Sequence, residues 1–323
     1  MKIKYFKMTI GLFPLLTMGS YSYAESEGES SGFGPLMVRS QAPLQSSGVN
    51  TRLRDASDFV DSELFLSASA ASVWAESEDY TLDYYQNDIF VGFQMPINKT
   101  LKAEFSYTFR YAANNHLDSL TISFHDMIGM SQNGREDVDN NRFYISSDDY
   151  TNEDFEDEIL GSSWELYLEQ LLFDNESHSL SLGGTLYYNY LPSGPFENTA
   201  FEQALQLNYT GKFGQYHTVY MMGSVTHRTP DSFSGISLKE WAINGGIGYQ
   251  YRPSFRHAYL FEYRRYEGEA EEISDLSEPV NEITLGYRLH FGTSAVELAV
   301  VENIINMDNS ADIAVTLSFR HRI

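Results

Sequence analysis

Residues 101–111 read LKAEFSYTFRY. Leu101, Ala103, Phe105, Tyr107, Phe109 and Tyr111 are apolar or aromatic, and Lys102, Glu104, Ser106, Thr108 and Arg110 between them are polar. Strand side chains alternate between faces, so this segment has one fatty face and one charged face. It is also close to the roughly 9 to 11 residues that a tilted strand needs to cross a bilayer. A transmembrane β-strand, apolar outside and wet inside, is the expectation, and the chain repeats it.

From residue 62 onward, alternation marks twelve candidate strands. They run at about 62–74, 79–95, 101–111, 160–173, 178–190, 201–211, 216–228, 239–251, 255–266, 280–291, 295–303 and 311–323. The first is weak because Ala and Ser fill both of its faces, and the alternation in 216–228 does not show which face points outward. Short connections (Pro96 to Lys99, Asp174 to Ser177, Gly211 to Gln215, Arg252 to Ser254, Gly292 to Thr293) alternate with longer gaps at 112–159, 191–200, 229–238, 267–279 and 304–310. Short turns at one end and long loops at the other are the pattern of bacterial outer-membrane barrels. The predicted fold class is therefore all-β, a closed antiparallel transmembrane barrel of about twelve strands, with 10 or 14 as alternatives and a soluble β-sandwich as the competing architecture.

The remaining composition narrows the function. Lys2, Lys4 and Lys7, the apolar run Met8 to Met18 and Ser22-Tyr23-Ala24 read as a signal peptide cleaved near Ala24, which places the mature protein outside the cytoplasm. The formal charge is −24 and becomes −27 once those lysines are gone, which excludes nucleic acid as a partner. There is no Cys, hence no disulfide or thiolate chemistry. The 23 Tyr suit the aromatic girdles of a barrel in contact with outer-membrane lipid and lipopolysaccharide. No cofactor is called for.

Residues 25–61 carry no strand period, yet Gly34-Pro35-Leu36-Met37-Val38-Arg39-Ser40-Gln41-Ala42-Pro43-Leu44 is too apolar for a plain linker. Two readings stay open: a periplasmic tail, or a plug in the lumen where Arg39 and Gln41 meet polar groups of the wall. The expected lumen or ligand residues are Lys102, Glu104, Arg110, Arg256, Glu262, Arg264, Glu282 and Arg288, with Glu297, Arg320 and Arg322 on the same inward parity. Charges are costly toward lipid, and their roles divide between mutual pairing across strands and a path for a solute.

The segment 112–158 holds twelve Asp or Glu against Arg135 and Arg142, with a possible short helix from Leu117 to Met130. Asp118, His125, Asp126, Gly134 and Arg135 are its candidate lid residues. His125-Asp126 also permits a hydrolase reading, because a carboxylate-oriented His can activate Ser or water, although no G-x-S-x-G element is present. Asp137, Asp139, Asn141 and Asp148 mimic a calcium loop but place Arg142 where that loop needs Gly. A second acidic loop, Glu267, Glu269, Glu271, Glu272, Asp275 and Glu278, reads as a solvated face.

Two stretches resemble a known family. The first is Gly34-Pro35-Leu36 with Val38-Arg39, Gln41 and Pro43-Leu44. The second is Leu117-Asp118, Ile122, Phe124-His125-Asp126, Gly129, and Asn133-Gly134-Arg135 leading to Asn141-Arg142. In order and spacing they resemble the uncharacterised Gram-negative outer-membrane family called domain of unknown function three-one-eight-seven (DUF3187). Asn114-Asn115-His116 stands where that family has a His and a Gly-Gly pair. The resemblance implies a β-barrel envelope protein and brings no catalytic residues. The last strand also resembles the C-terminal signal read by the barrel-assembly machinery, although it ends in Ile323 rather than an aromatic residue. The leading functional expectation is a plugged or gated pore for a small, possibly amphipathic solute. The alternatives are a lipid-processing hydrolase and a structural or surface-interaction barrel with a sealed lumen.

Overall fold

The computed structural model describes residues 32–76, 80–117, 142–147, 150–229, 232–233, 236–271, 275–305 and 309–323. The alternating segments become β1 (Glu63–Glu76), β2 (Tyr80–Asn98), β3 (Leu101–Ala112), β6 (Ile159–Asp174), β7 (His178–Leu191), β8 (Asn198–Phe213), β9 (His217–Arg228), β12 (Trp241–Tyr251), β13 (His257–Tyr266), β14 (Val280–Phe291), β15 (Ser294–Ile305) and β16 (Ala311–Arg322). Between them lie two small hairpins, β4 (Tyr144–Ser147) with β5 (Tyr150–Glu153), and β10 (Ser232–Phe233) with β11 (Ile236–Ser237). Among the described residues one short helix, α1 (Pro43–Ser47), precedes the strands and starts with proline, whose fixed φ suits a first helical turn.

The twelve long strands pair antiparallel with their neighbours, and β16 pairs back onto β1, with Glu63 opposite Arg322 and Ser67 opposite Ser318. The sheet is thus a closed barrel of twelve strands, as the turn-and-loop rhythm of the sequence requires. Closure removes the edges that a bilayer would leave without hydrogen-bond partners.

The two faces differ sharply. Leu66, Ile89, Phe105, Leu166, Leu205 and Leu285 stand exposed on the outside, while Ser67, Asp88, Glu104, Glu165, Gln206 and Thr284, one residue along each strand, are buried inside. Such a continuous apolar belt around a barrel matches hydrocarbon, not water. Leu205→Arg on β8 is expected to cost about 2–4 kcal/mol near the bilayer midplane. Urea titration of the protein refolded into lipid vesicles checks it.

Four sequence readings need correction. β2 continues through Pro96 to Asn98, leaving only Lys99 and Thr100 as the turn; a register shift beside Pro96 accommodates a residue with no N–H. Arg256 is not a lumen residue: the β13 ladder begins at His257 opposite Leu289, so Arg256 falls in the turn and is exposed. The loop 267–279 is not simply solvated, since Glu269, Ala270 and Leu276 are buried, and Ala270 bridges Leu238. The long connection after β3 also carries the β4–β5 hairpin, in which β4 pairs with Tyr80–Asp83 at the loop end of β2. The ambiguous strand β9 turns out to send Tyr220 and Met222 inward, where both cluster with Leu53.

Candidate functional site

Residues 33–61 run inside the barrel as an ascending limb, the helix α1 and a descending limb that leads into β1. Their backbone and side chains bond to inward-facing groups on nearly every side of the wall. From Phe33 to Arg54 every residue is buried.

The ascending limb is gripped through its main chain. Arg288 donates to Gly34 O at 2.8 Å and Pro35 O at 3.0 Å, Arg320 donates to Pro35 O at 2.8 Å, and Arg264 donates to Val38 O at 3.0 Å. Its N–H groups go to carboxylates: Leu36 N to Glu262 at 2.7 Å and Met37 N to Glu297 at 2.9 Å. Met37 O accepts from Ser67 at 3.2 Å and Ser318 at 3.3 Å. The wall arginines are themselves paired, Arg288 with Glu297 at 2.7 Å and Arg320 with Glu63 at 2.6 Å. These contacts fill the donor and acceptor capacity that a buried extended chain would otherwise leave open.

Higher up, Ser40 donates to Glu282 at 2.5 Å and Gln41 donates to Asp88 at 3.0 Å. Arg110 reaches Ser46 of α1 at 2.8 Å, Tyr187 donates to Ser47 O at 3.0 Å, and Val49 N donates to Glu202 at 2.7 Å. Tyr84, Phe155 and Phe196 pack together at the loop end in the same apolar cluster as Leu44 of α1.

The descending limb is gripped through charge. Arg52 and Arg54 share Glu104, at 2.6 Å and 2.8 Å, and Arg54 also lies 3.6 Å from Glu165. Arg39 approaches Glu165 at 3.7 Å. Burial works against the charge on Arg54, yet Glu104, Tyr167 and Glu165 outweigh it and hold its pKa above the ordinary guanidinium value. For Arg52, burial and then the adjacent Arg54 prevail over Glu104, and its pKa is lowered. Lys102 pairs with Glu169 at 3.1 Å and donates to Asp55 O at 3.0 Å and Asp58 O at 3.1 Å. At the turn end Arg322 holds Asp58 at 2.6 Å and Asp61 at 2.7 Å. Between the limbs, Phe33, Met37, Arg52, Asp55, Lys102 and Arg320 line a cavity of about 20 Å³. That is room for about one water.

Seven of the eight candidate wall residues therefore touch the segment or its immediate partners, Arg256 being the one that does not. Sequence reading passed over Arg52, Arg54, Glu165, Glu169 and Glu202. The glutamates share the inward parity opposite Trp164, Leu166, Leu168 and Phe201, and the i, i+2 spacing of Arg52 and Arg54 would put both on one side of an extended chain. Asp118, His125, Asp126, Gly134 and Arg135 lie outside the described residues, as do the signal peptide, the mimic of a calcium loop up to Asn141, and most of the possible helix from Leu117.

One family model matches residues 13–323; its description is "Protein of unknown function (DUF3187)". No curated protein matches the chain. Solved structures similar to it include the KdgM porin (6% identity, 80% of this chain and 98% of that one, TM-score 0.43). The translocator domain of the autotransporter NalP from Neisseria meningitidis gives 10%, 82% and 90%, with a TM-score of 0.47. The NanC porin gives 7%, 80% and 100%, with a TM-score of 0.46. Likenesses this distant say nothing about what a barrel binds or passes.

Proposed function

Because the chain belongs to DUF3187, a family without an assigned activity, we propose its function from its own geometry: an outer-membrane channel for a small solute, closed by residues 33–61 and opened when that segment shifts. In this reading the short turns face the periplasm and the loops face outward, as in bacterial barrels generally.

The observation that carries the reading is the chemistry of the contact between segment and wall. Ion pairs and hydrogen bonds run along it beside apolar contacts of Leu36, Met37, Val49 and Leu53, and the wall behind is lined by both signs of charge at Lys102, Glu104, Arg264, Glu282 and Arg288. Withdrawing an apolar filling would expose hydrocarbon to water. Withdrawing this one would also uncover many charged and polar groups that water can solvate, which offsets part of the cost of opening.

Gly286 supplies a test. It faces the lumen, and a Cβ there would collide with the side chain of Leu36. Gly286→Val should push the ascending limb off the wall, costing about 1–3 kcal/mol of overpacking, and should raise the mean current through the refolded mature protein in planar bilayers well above that of the wild type. Silence from both proteins, with folding shown by heat-modifiable gel mobility, would sink the pore.

A further inference from the structure

All three arginines that the segment carries into the lumen meet the wall in one way, through a carboxylate and an aromatic ring together. Arg39 has Glu165 at 3.7 Å and the ring of Phe90 at 5.0 Å. Arg52 has Glu104 at 2.6 Å and Phe65 at 5.9 Å. Arg54 has Glu104 and Glu165, with its guanidinium 3.6 Å from the ring centre of Tyr167. The rings come from β1, β2 and β6 and the carboxylates from β3 and β6, so adjacent staves of the barrel supply the whole set. The wall is shaped for it: Phe65 lies over Gly92 and Tyr167 over Gly183, where any Cβ would occupy the ring's place.

Capacity also remains unused. Glu165 Oε2, on a residue only 7% exposed, faces Arg39 at 3.7 Å and has no hydrogen-bond partner among the described residues, whereas both oxygens of Glu104 are taken by two guanidinium groups. A planar cation that stacks on a ring while its N–H fork meets a carboxylate is the chemistry of guanidinium. An ammonium, compact and strongly hydrated, matches it poorly. An anionic solute would bring its charge against Glu104 and Glu165.

Resting on the pore reading above, we propose that this wall is a guanidinium-binding site, and that the solute is a small guanidinium-bearing cation, an arginine-containing peptide being the simplest, which replaces the segment's own arginines when the lumen opens. The segment is then a tethered stand-in for the solute. Its extended backbone, held by Arg264, Arg288 and Arg320 on the opposite side, makes the contacts a short peptide would make.

Chemical rescue of the full mature chain tests this. Arg54→Ala empties the space bounded by Glu104, Glu165 and Tyr167. It should lower the temperature at which the folded gel band is lost. Ethylguanidinium should restore that temperature, and ethylammonium at equal ionic strength should not. Adding Glu165→Gln to Arg54→Ala should weaken the rescue. Equal effects of the two cations would overturn the proposal. If Arg54→Ala does not refold, Arg39→Ala, which keeps the Arg54–Glu104 pair, carries the same comparison at Glu165 and Phe90. Bilayer currents separate the two readings: rescue with silent bilayers would remove the pore and leave the guanidinium site, whereas conductance without rescue would do the reverse.

Discussion

Glu104→Ala is expected to destabilise the refolded barrel by about 3–5 kcal/mol, the usual cost of stranding a buried charge by removing its partner. Here two charges are stranded at once, since Arg52 and Arg54 both end on this carboxylate. Glu165 can hold Arg54 in part, which keeps the loss within that range. The substitution acts on the segment more than on the wall, because β3 keeps its register with β2 and β6, where Glu104 lies opposite Gln94 and Tyr167. Loss of stability in urea should therefore come with longer open times in bilayers. A destabilised barrel whose currents match the wild type would mean that the descending limb does not gate.

The opposite manipulation should lock the lumen. Thr51 on the descending limb and Ser224 on β9 have their hydroxyl oxygens 3.0 Å apart, and the native chain has no cysteine to interfere. Thr51→Cys combined with Ser224→Cys brings two sulfurs within reach of a bond of about 2.05 Å. Oxidised protein should show no openings, and a reducing agent should restore them. Currents that ignore the redox state, with the disulfide verified by mass, would show that solute bypasses this part of the segment.

The barrel was legible in the sequence because its physics is local. A wall with lipid on one side and polar groups on the other imposes a period of two wherever it runs, and residues 282–291 show it. Strand ends are less legible, since alternation does not stop where the ladder stops; Arg256 keeps the inward parity and still falls in a turn. Strand β9 was opaque for a different reason. Its inward Tyr220 and Met222 pack on Leu53, so apolar residues occupy both faces.

The segment itself has no period to read. Many of its groups answer to a wall position far away in the chain, as Pro35 does to Arg320 and Val49 to Glu202. Arg39 and Gln41 stand out by composition, but Arg52 and Arg54 acquire meaning only beside Glu104. The second acidic loop is a similar case: Glu269 is buried against Arg228 at 2.8 Å, a partner that its run of acidic neighbours does not suggest.

The contacts of Met37 and Arg320 bear on how the barrel can come apart. β1 and β16 are the first and last staves, and their junction is the place where the cylinder was sewn shut. Met37 O takes one hydrogen bond from each side of that join, Ser67 on β1 and Ser318 on β16, and Arg320 reaches from β16 to Glu63 on β1. The segment is thus a staple across the seam as well as a filling. Sideways release of a guest into the lipid between these two strands would first have to pull the staple, so in the proposed channel a solute would follow the long axis of the cylinder. During assembly, the same staple favours a chain whose leading residues are already inside when the last stave arrives.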